Sequence, residues 1–373
     1  MKSQGGITHI IVRFFAVAIT VIAALILAAT LFGAIISPKY IPLLSVLTLC
    51  APIVYMINII IMLLWIIAWK KWALISATIL IIGFSSGGLL IQPDFKKKYN
   101  DTPTFQTLNI LSYNVEGFTH NCRGLKNNLD SIISFFNREN PDIICIQEFR
   151  TLPNASQEVI DSLMGMWPYK RVFGFAKRIY APSIAVYSKK KILNAEYLKL
   201  NEKTGYGAVV CDILVEKGDT LRLFTTHLQS TQISNDDITY LTEEQFTDST
   251  SREERLSSIF NKLNKNSVIR AAHADSLKSI IDRRQYRTII CGDFNDTPLS
   301  YTYNKIKGNF EDSFIQSGHG FRTTFRKLFD IMCIDYILHS DDMISKKFNI
   351  LDAEFSDHYP ISAQIELIKT IDK

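Results

Sequence analysis

Residues 289–296 read IICGDFND, a continuous apolar run that ends abruptly in Gly292, Asp293, Phe294 and Asn295. Runs of this kind fit strands covered on both faces, because a strand with one wet face would alternate apolar and polar residues. The same form recurs along the chain: LNILSYNV (108–115), PDIICIQE (141–148), SIAVYSK (183–189), AVVCDILVE (208–216), LRLFTTHLQ (221–229), CIDYILHS (333–340) and ISAQIEL (361–367). Lys217–Thr220 joins two of these runs in a turn too short for a crossover helix, so that pair reads as antiparallel. Helical patterns intervene at 125–139 and 252–285, the latter opening on the capping-box pattern Ser251 to Glu254. An α/β fold of mixed sheets layered with helices follows.

The polar residues at the strand ends carry the chemistry. Asn114, Glu148, His227, Asp293 with Asn295, Asp335 and Asp357-His358 each lie at or just beyond an apolar run. One such residue alone reads as a turn former or a satisfied surface group. Eight residues of this kind, able to converge on one rim, read as a site. A hard divalent cation takes oxygen ligands, one or two carboxylates with water and substrate phosphate, and Asn114, Glu148 and Asp357 offer them. Phosphoester hydrolysis needs a water held in line, a group to orient or deprotonate it, and donors for the charge that develops on phosphorus. Asp293 and Asn295 suit the water. His227 and His358 suit the phosphate oxygens, with Asp335 available to orient His358 and favour its cationic form.

The motifs LSYNVEG (111–117), PDIICIQE, TTHLQS (225–230), IICGDFND, IDYIL (334–338) and SDHYPI (356–361) give the chain its resemblance to the endonuclease/exonuclease/phosphatase superfamily. That superfamily is deoxyribonuclease I-like, and the chain looks like a membrane-anchored bacterial-type member of it. The resemblance covers nearly all of residues 107–368 and implies a four-layer α/β sandwich with two mixed β-sheets. It also implies a role for each motif residue: Asn114 and Glu148 near a Mg²⁺ ion, for which Mn²⁺ can substitute, with Asp357 beside it. His227 falls at the phosphate, Asp293 and Asn295 at the nucleophilic water, and Asp335 paired with His358. Glu116 matches a second acidic position of some members. Two departures stand out: Cys333 where many members carry arginine, and Ser183 where a glycine is usual.

Residues 1–93 have a different composition. Three apolar stretches, about 14–36, 41–69 and 72–92, each reach the roughly 20 residues that cross a bilayer as a helix, and none shows a polar face. Three spans in series also exceed a signal peptide. The expected organisation is a transmembrane region (1–93), a linker (94–105) and a catalytic domain (106–373). Of the 41 Lys and Arg, eight fall in the first 100 residues, with one acid, so the remainder carries a net charge of −2. The positive charge therefore flanks the apolar spans and is not a nucleic-acid footprint. Charges on the two sides of the spans balance, and only the tight Lys70-Lys71 turn, which suits the cytoplasm, favours an extracytoplasmic catalytic domain. Six cysteines (Cys50, Cys122, Cys145, Cys211, Cys291, Cys333) show no metal spacing and read as free thiols. Residues 231–250, with Asp236, Asp237, Glu243, Glu244 and Asp248, read as a long acidic loop.

These features predict a multi-pass membrane protein whose partners are the lipid bilayer and a phosphodiester substrate, either a nucleic acid or a phospholipid headgroup. The competing class is a membrane-tethered scaffold on an inactive form of the same fold. It would normally show the loss of a ligand or of the histidine, and every expected position is filled.

Overall fold

The computed structural model describes residues 4–68, 70–85, 91–92, 104–121, 127–173, 183–201, 206–216, 218–242, 249–283, 285–327 and 330–369. Cys122, Glu243, Glu244, Asp248 and nearly all of the expected linker lie outside the described residues. The chain forms two compact units, one of residues 1–89, 232–271 and 297–304, the other of residues 90–231, 272–296 and 305–373.

In the first unit the three apolar stretches become four helices: α1 (Gln4–Phe32), α2 (Leu43–Leu49), α3 (Ala51–Ile67) and α4 (Ala73–Ser85). Among the described residues only α1, over Thr8–Phe32, is by itself long and apolar enough to cross a membrane, and α2 with α3 passes only if the bent pair counts as one span. This corrects the expectation of three transmembrane helices over about 14–36, 41–69 and 72–92. The second stretch is bent by 69° between α2 and α3, where Pro52 stands in the first turn of α3 and cannot continue the preceding hydrogen-bond ladder. The third supplies a helix of 13 residues, about 20 Å at 1.5 Å per residue, short of a 30 Å hydrocarbon core. Polar groups inside these helices find partners. Asn58 Nδ2 donates to the carbonyls of Ala23 and Val54, and Trp65 Nε1 to Thr20 Oγ1. Ile10, Phe14 and Leu25 are more than 60% exposed.

The second unit opens with β1 (Ile91–Gln92) and β2 (Thr104–Asn114), followed by α5 (Leu129–Glu139), β3 (Ile143–Gln147), α6 (Gln157–Leu163), β4 (Tyr169–Phe173), β5 (Ile184–Ser188), β6 (Ile192–Lys199), β7 (Gly207–Glu216) and β8 (Asp219–His227). Along the chain come next α7 (Asn235–Thr242) and α8 (Ser249–Ile281), which belong to the first unit as far as residue 271, then β9 (Arg287–Asp293), α9 (Tyr301–Lys307), in the first unit as far as residue 304, and in the second unit β10 (Glu311–Asp312), α10 (Ser313–Ser317), β11 (Gly320–Phe321), β12 (Asp335–His339), β13 (Met343–Ile350) and β14 (Ile361–Ile368). Two six-stranded mixed sheets result, with orders β10-β12-β9-β8-β7-β6 and β13-β14-β2-β3-β5-β4. β7 and β8 pair antiparallel across the short turn, whereas β8 and β9 are parallel and are joined through α7 and α8, as a parallel pair requires.

The apolar runs explain the layering. Leu108, Ile110, Cys145, Val209, Cys211 and Cys291 belong to one buried cluster shared by the two sheets. The opposite face of β2 and β3, including Tyr113 and Ile146, packs against Ile132, Phe135 and Phe136 of α5. Strands buried on both faces carry continuous apolar sequence for this reason. The cysteines Cys145, Cys211, Cys291 and Cys333 are free and buried, and burial pushes each thiol of Cys145, Cys211 and Cys333 up.

The expected acidic loop is in part helical. Ser234 Oγ accepts from Asp237 N at 3.1 Å, and Asp237 Oδ2 accepts from Ser234 N at 3.0 Å, a reciprocal cap that starts α7. Asp237 also pairs with Lys262 of α8 at 2.7 Å. Asp236 and Asp237 therefore occupy the first turn of α7.

Candidate active site

Both central sheets end at the same cluster. β2 ends on Asn114, β3 delivers Glu148 one residue beyond its last member, β8 ends on His227 and β9 on Asp293. β12 begins on Asp335, and Asp357-His358 precede β14. Register makes the convergence strict in one sheet, where His227 pairs with Asp293 across the parallel ladder and Asp293 with Asp335 across the antiparallel one.

Asn114 links the two sheets. Its Nδ2 lies 3.3 Å from Glu148 Oε1 and 3.1 Å from Asp293 Oδ2, while its Oδ1 accepts from Glu116 N at 3.1 Å. His227 Nε2 stands 3.7 Å from Glu148 Oε1 and 3.6 Å from Asp293 Oδ2. His358 Nε2 lies 3.8 Å from that same Asp293 oxygen, and its Nδ1 lies 2.9 Å from Asp335 Oδ2. Asn295 Nδ2 donates to Asp293 Oδ2 at 3.0 Å and to the Leu228 carbonyl at 3.0 Å, and its N–H donates to Asp293 Oδ1 at 2.7 Å. Asp357 reaches His358 Nε2 only at 3.9 Å. All eight residues assigned from sequence to the metal and the chemistry thus meet in one cluster. Glu116 stands at its edge, bound to His120 Nδ1 at 2.5 Å.

The backbone around this cluster is strained. Glu148 and Asn295 adopt φ of 52° and 53°, left-handed values that side chains rarely take. Gly292 has φ 123°, and a Cβ there would sit 2.2 Å from the Thr226 carbonyl oxygen, which accounts for the glycine before Asp293. Such conformations persist only where the surroundings over-determine them, and they concentrate at functional sites.

Charge is distributed unevenly. Burial pushes the Asp293 carboxyl up to about 8, with Asp335 adding to the rise and His358 opposing it. Burial works against the His358 imidazolium, but Asp335 and Asp293 outweigh it and raise this group to about 10. His227 is lowered to about 3 by burial and by the charge of His358. At neutral pH one histidine is therefore a cation and the other a neutral ring. His358 contributes its cationic pairing fully below about 6.5, the ordinary histidine value, and loses it as pH rises through about 10. Replacing Asp335 with asparagine removes the foremost group favouring that charge. The variant is expected to lose activity as pH rises from about 7, whereas the parent gains activity as Asp293 ionises through about 8 and falls only as His358 loses its proton towards 10, and a kcat–pH profile checks this.

Two cationic side chains at the cluster went unread in the sequence. Lys327 Nζ pairs with Asp357 Oδ2 at 2.7 Å, and Arg150 lies 3.8 Å from Glu148 Oε2. Lys327 is set in place by its neighbours: Arg326 N donates to the Asp357 carbonyl, and Tyr359 N to the Thr324 carbonyl. A lone lysine in a loop carries no periodic signal, so nothing in the sequence marks it. Ser183, one of the departures, donates its hydroxyl to the Phe149 carbonyl beside Glu148. At the other, Cys333, the charge of the buried Arg322 acts on the thiol, and Arg322 itself pairs with Asp312 and lies over the rings of Phe314 and Tyr336.

Four carboxylates, two amides and two imidazoles, one cationic and one neutral, thus gather around one point where strand ends of the two mixed sheets meet, a candidate hydrolytic site. The family model described as Endonuclease/Exonuclease/phosphatase matches residues 111–358, and the chain belongs to this family of phosphoric ester hydrolases. A second model, a domain of unknown function (DUF8431), matches residues 12–88. The comparison with curated proteins returns no match.

Among solved structures, a functionally unknown conserved protein from Enterococcus faecalis is 16% identical with a TM-score of 0.49, covering 69% of this chain and 99% of its own. An endonuclease/exonuclease/phosphatase from Bacteroides vulgatus is 18% identical with a TM-score of 0.49, covering 70% and 100%. A mannosyl-6-phosphatase from Bacteroides thetaiotaomicron is 15% identical with a TM-score of 0.47, covering 69% and 99%.

Proposed function

We propose that this chain is a membrane-anchored, Mg²⁺-dependent phosphodiesterase that hydrolyses its substrate by in-line attack of water. The observation that carries this reading is the Asp293 carboxylate, within 4 Å of one cationic and one neutral imidazole and hydrogen-bonded to two amides.

The donor set fits a hard cation. Glu148 and Asp357 supply carboxylate oxygens, and the ammonium of Lys327 already rests against Asp357, which marks the acidic corner as attractive to positive charge. Asn114 and Glu148 with Asp357 would hold the ion, with Glu148 the principal ligand and Glu116 at the edge. Such a cation polarises a phosphoryl oxygen and neutralises charge that develops on it. The remaining steps belong to the side chains. Asp293 accepts a proton from the attacking water, which the Asn295 amide helps to orient. His358, held cationic by Asp335, donates to a phosphoryl oxygen in the transition state, and neutral His227 donates to another.

Three features favour a bilayer or envelope phosphoester over nucleic acid. The region beyond residue 100 carries a net charge of −2, which opposes non-specific binding to a polyanion. α1 exposes large apolar side chains along its length, as a lipid-facing helix does and a soluble one cannot without aggregating. Tethering then raises the local concentration of lipid headgroups. The extracytoplasmic placement of the catalytic unit belongs to the same proposal and rests on the Lys70-Lys71 turn.

The test is hydrolysis of bis-p-nitrophenyl phosphate by the detergent-solubilised chain, followed by sphingomyelin, phosphoinositides, nucleotides, RNA and plasmid DNA. Mg²⁺-dependent turnover that EDTA abolishes is expected, with lipid substrates leading the series. Turnover that survives chelation sinks the mechanism, and no turnover on any substrate leaves the scaffold class standing.

A further inference from the structure

The acidic corner of the cluster already holds a cation, the ammonium of Lys327. Its Nζ lies 2.7 Å from Asp357 Oδ2, with the two side chains 29% and 12% exposed. Backbone pairing brings the lysine to this place. Phe325 forms a bridge with His358, Arg326 N donates to the Asp357 carbonyl at 2.9 Å, and Tyr359 N donates to the Thr324 carbonyl at 2.8 Å. The Arg326 guanidinium lies 3.6 Å from the centre of the Tyr359 ring and donates to the Ala353 carbonyl, which ties the two segments once more. All of these residues belong to the second unit.

We infer that Lys327 is the second cation of this site: its ammonium takes the place beside Asp357 that a second divalent ion would need, so the chain binds one such ion and not two. This rests on the metal-dependent reading above and adds its stoichiometry. In two-metal phosphoesterases the ions stand about 3.5–4 Å apart and clamp the attacking and leaving oxygens. A lysine ammonium is a compact point charge on a flexible stem, the side chain nearest in kind to such an ion. It holds Asp357 Oδ2 by a charge-assisted hydrogen bond and leaves Oδ1 as the ligand atom that Asp357 can offer.

The surrounding charges point the same way. Burial works against the Lys327 charge, but Asp357, then Glu116 and Glu148, outweigh it and hold the group above the ordinary lysine range. All three acids of the corner thus already act on one ammonium. Glu148 also faces Arg150 at 3.8 Å. A second divalent ion would therefore meet two side-chain cations, with Glu116 as the remaining carboxylate to hold it. Repulsion between a single and a double charge about 4 Å apart weakens binding by more than about tenfold even in water.

The experiment titrates the full chain, in detergent micelles, with Mn²⁺ and follows it by electron paramagnetic resonance. The parent is expected to bind one Mn²⁺ per chain, with the spectrum of an isolated ion. Lys327→Met nearly keeps the length of the side chain and removes its charge. This variant is expected to bind a second Mn²⁺ at least about tenfold more tightly than any second ion binds the parent. Its spectrum should be that of two spin-coupled ions about 4 Å apart. Lys327→Arg keeps the charge and should bind one ion, as the parent does. With bis-p-nitrophenyl phosphate, the rate of Lys327→Met below saturation should rise with the square of Mg²⁺ concentration, where the parent's rises in proportion. Two coupled ions in the parent, or a single uncoupled ion in a Lys327→Met chain with the parent's circular dichroism, overturns the inference. No Mn²⁺ bound to the parent sinks the metal-dependent reading itself, and this inference with it.

Discussion

Asp293→Asn is expected to lower kcat on a phosphodiester by about a thousandfold, the upper part of the range for losing a general base, while the protein stays folded. Asparagine has nearly the volume of aspartate and keeps an oxygen for the Asn295 N–H. Burial already disfavours the Asp293 charge, but its Oδ2 accepts from the Asn114 and Asn295 side-chain amides, donors that a new amide nitrogen would face. Tm is therefore expected to stay level or fall modestly, and the far-ultraviolet circular dichroism should be unchanged. Kinetics with purified parent and variant decide the matter. More than about a tenth of the parent kcat in the variant would mean that the proton goes elsewhere.

The second large effect concerns Glu148. Its carboxylate is contacted by the Asn114 amide, by His227 and by Arg150, three positive or donor groups that hold it in one orientation. With Glu148→Ala, Mn²⁺ affinity should fall by at least 10- to 100-fold, the loss that follows even from removing an outer partner of a metal ligand. The rate at limiting Mg²⁺ should fall with it and recover in part as Mg²⁺ is raised. Affinity unchanged in the variant would exclude Glu148 from the ion's surroundings.

Much of the catalytic unit was legible because burial on both faces leaves a strong mark. Ile143–Gln147 and Arg287–Asp293 have no exposed member, and their apolar runs could hardly be read otherwise. β4, with three exposed residues of five, and β6, with an irregular pattern, gave no such signal. Their position depends on pairing with β5 and β7, partners that the local sequence does not name. The start of α7 was readable in principle, since Ser234 and Asp237 stand at capping-box spacing, but charge density in that stretch suggested a loop.

The residues of the cluster were legible by their place at strand ends, and the resemblance to a family implied roles for them. The distances among them came only from the register of two sheets. Lys327 and Arg150 depend on tertiary packing alone. Composition likewise marked three apolar stretches but overcounted the spans, missing the 69° bend before α3, because a proline in the first turn of a helix ends the previous ladder without changing hydrophobicity.

Anomalous diffraction from crystals of the full chain soaked in Mn²⁺ examines the metal centre itself. One ion is expected within about 2.0–2.2 Å of a Glu148 carboxylate oxygen, ringed by oxygen ligands, with Asp293 and both imidazoles facing the vacant side where a phosphate would sit. Mn²⁺ density found only at other carboxylates, with none beside Glu148, would contradict the proposal.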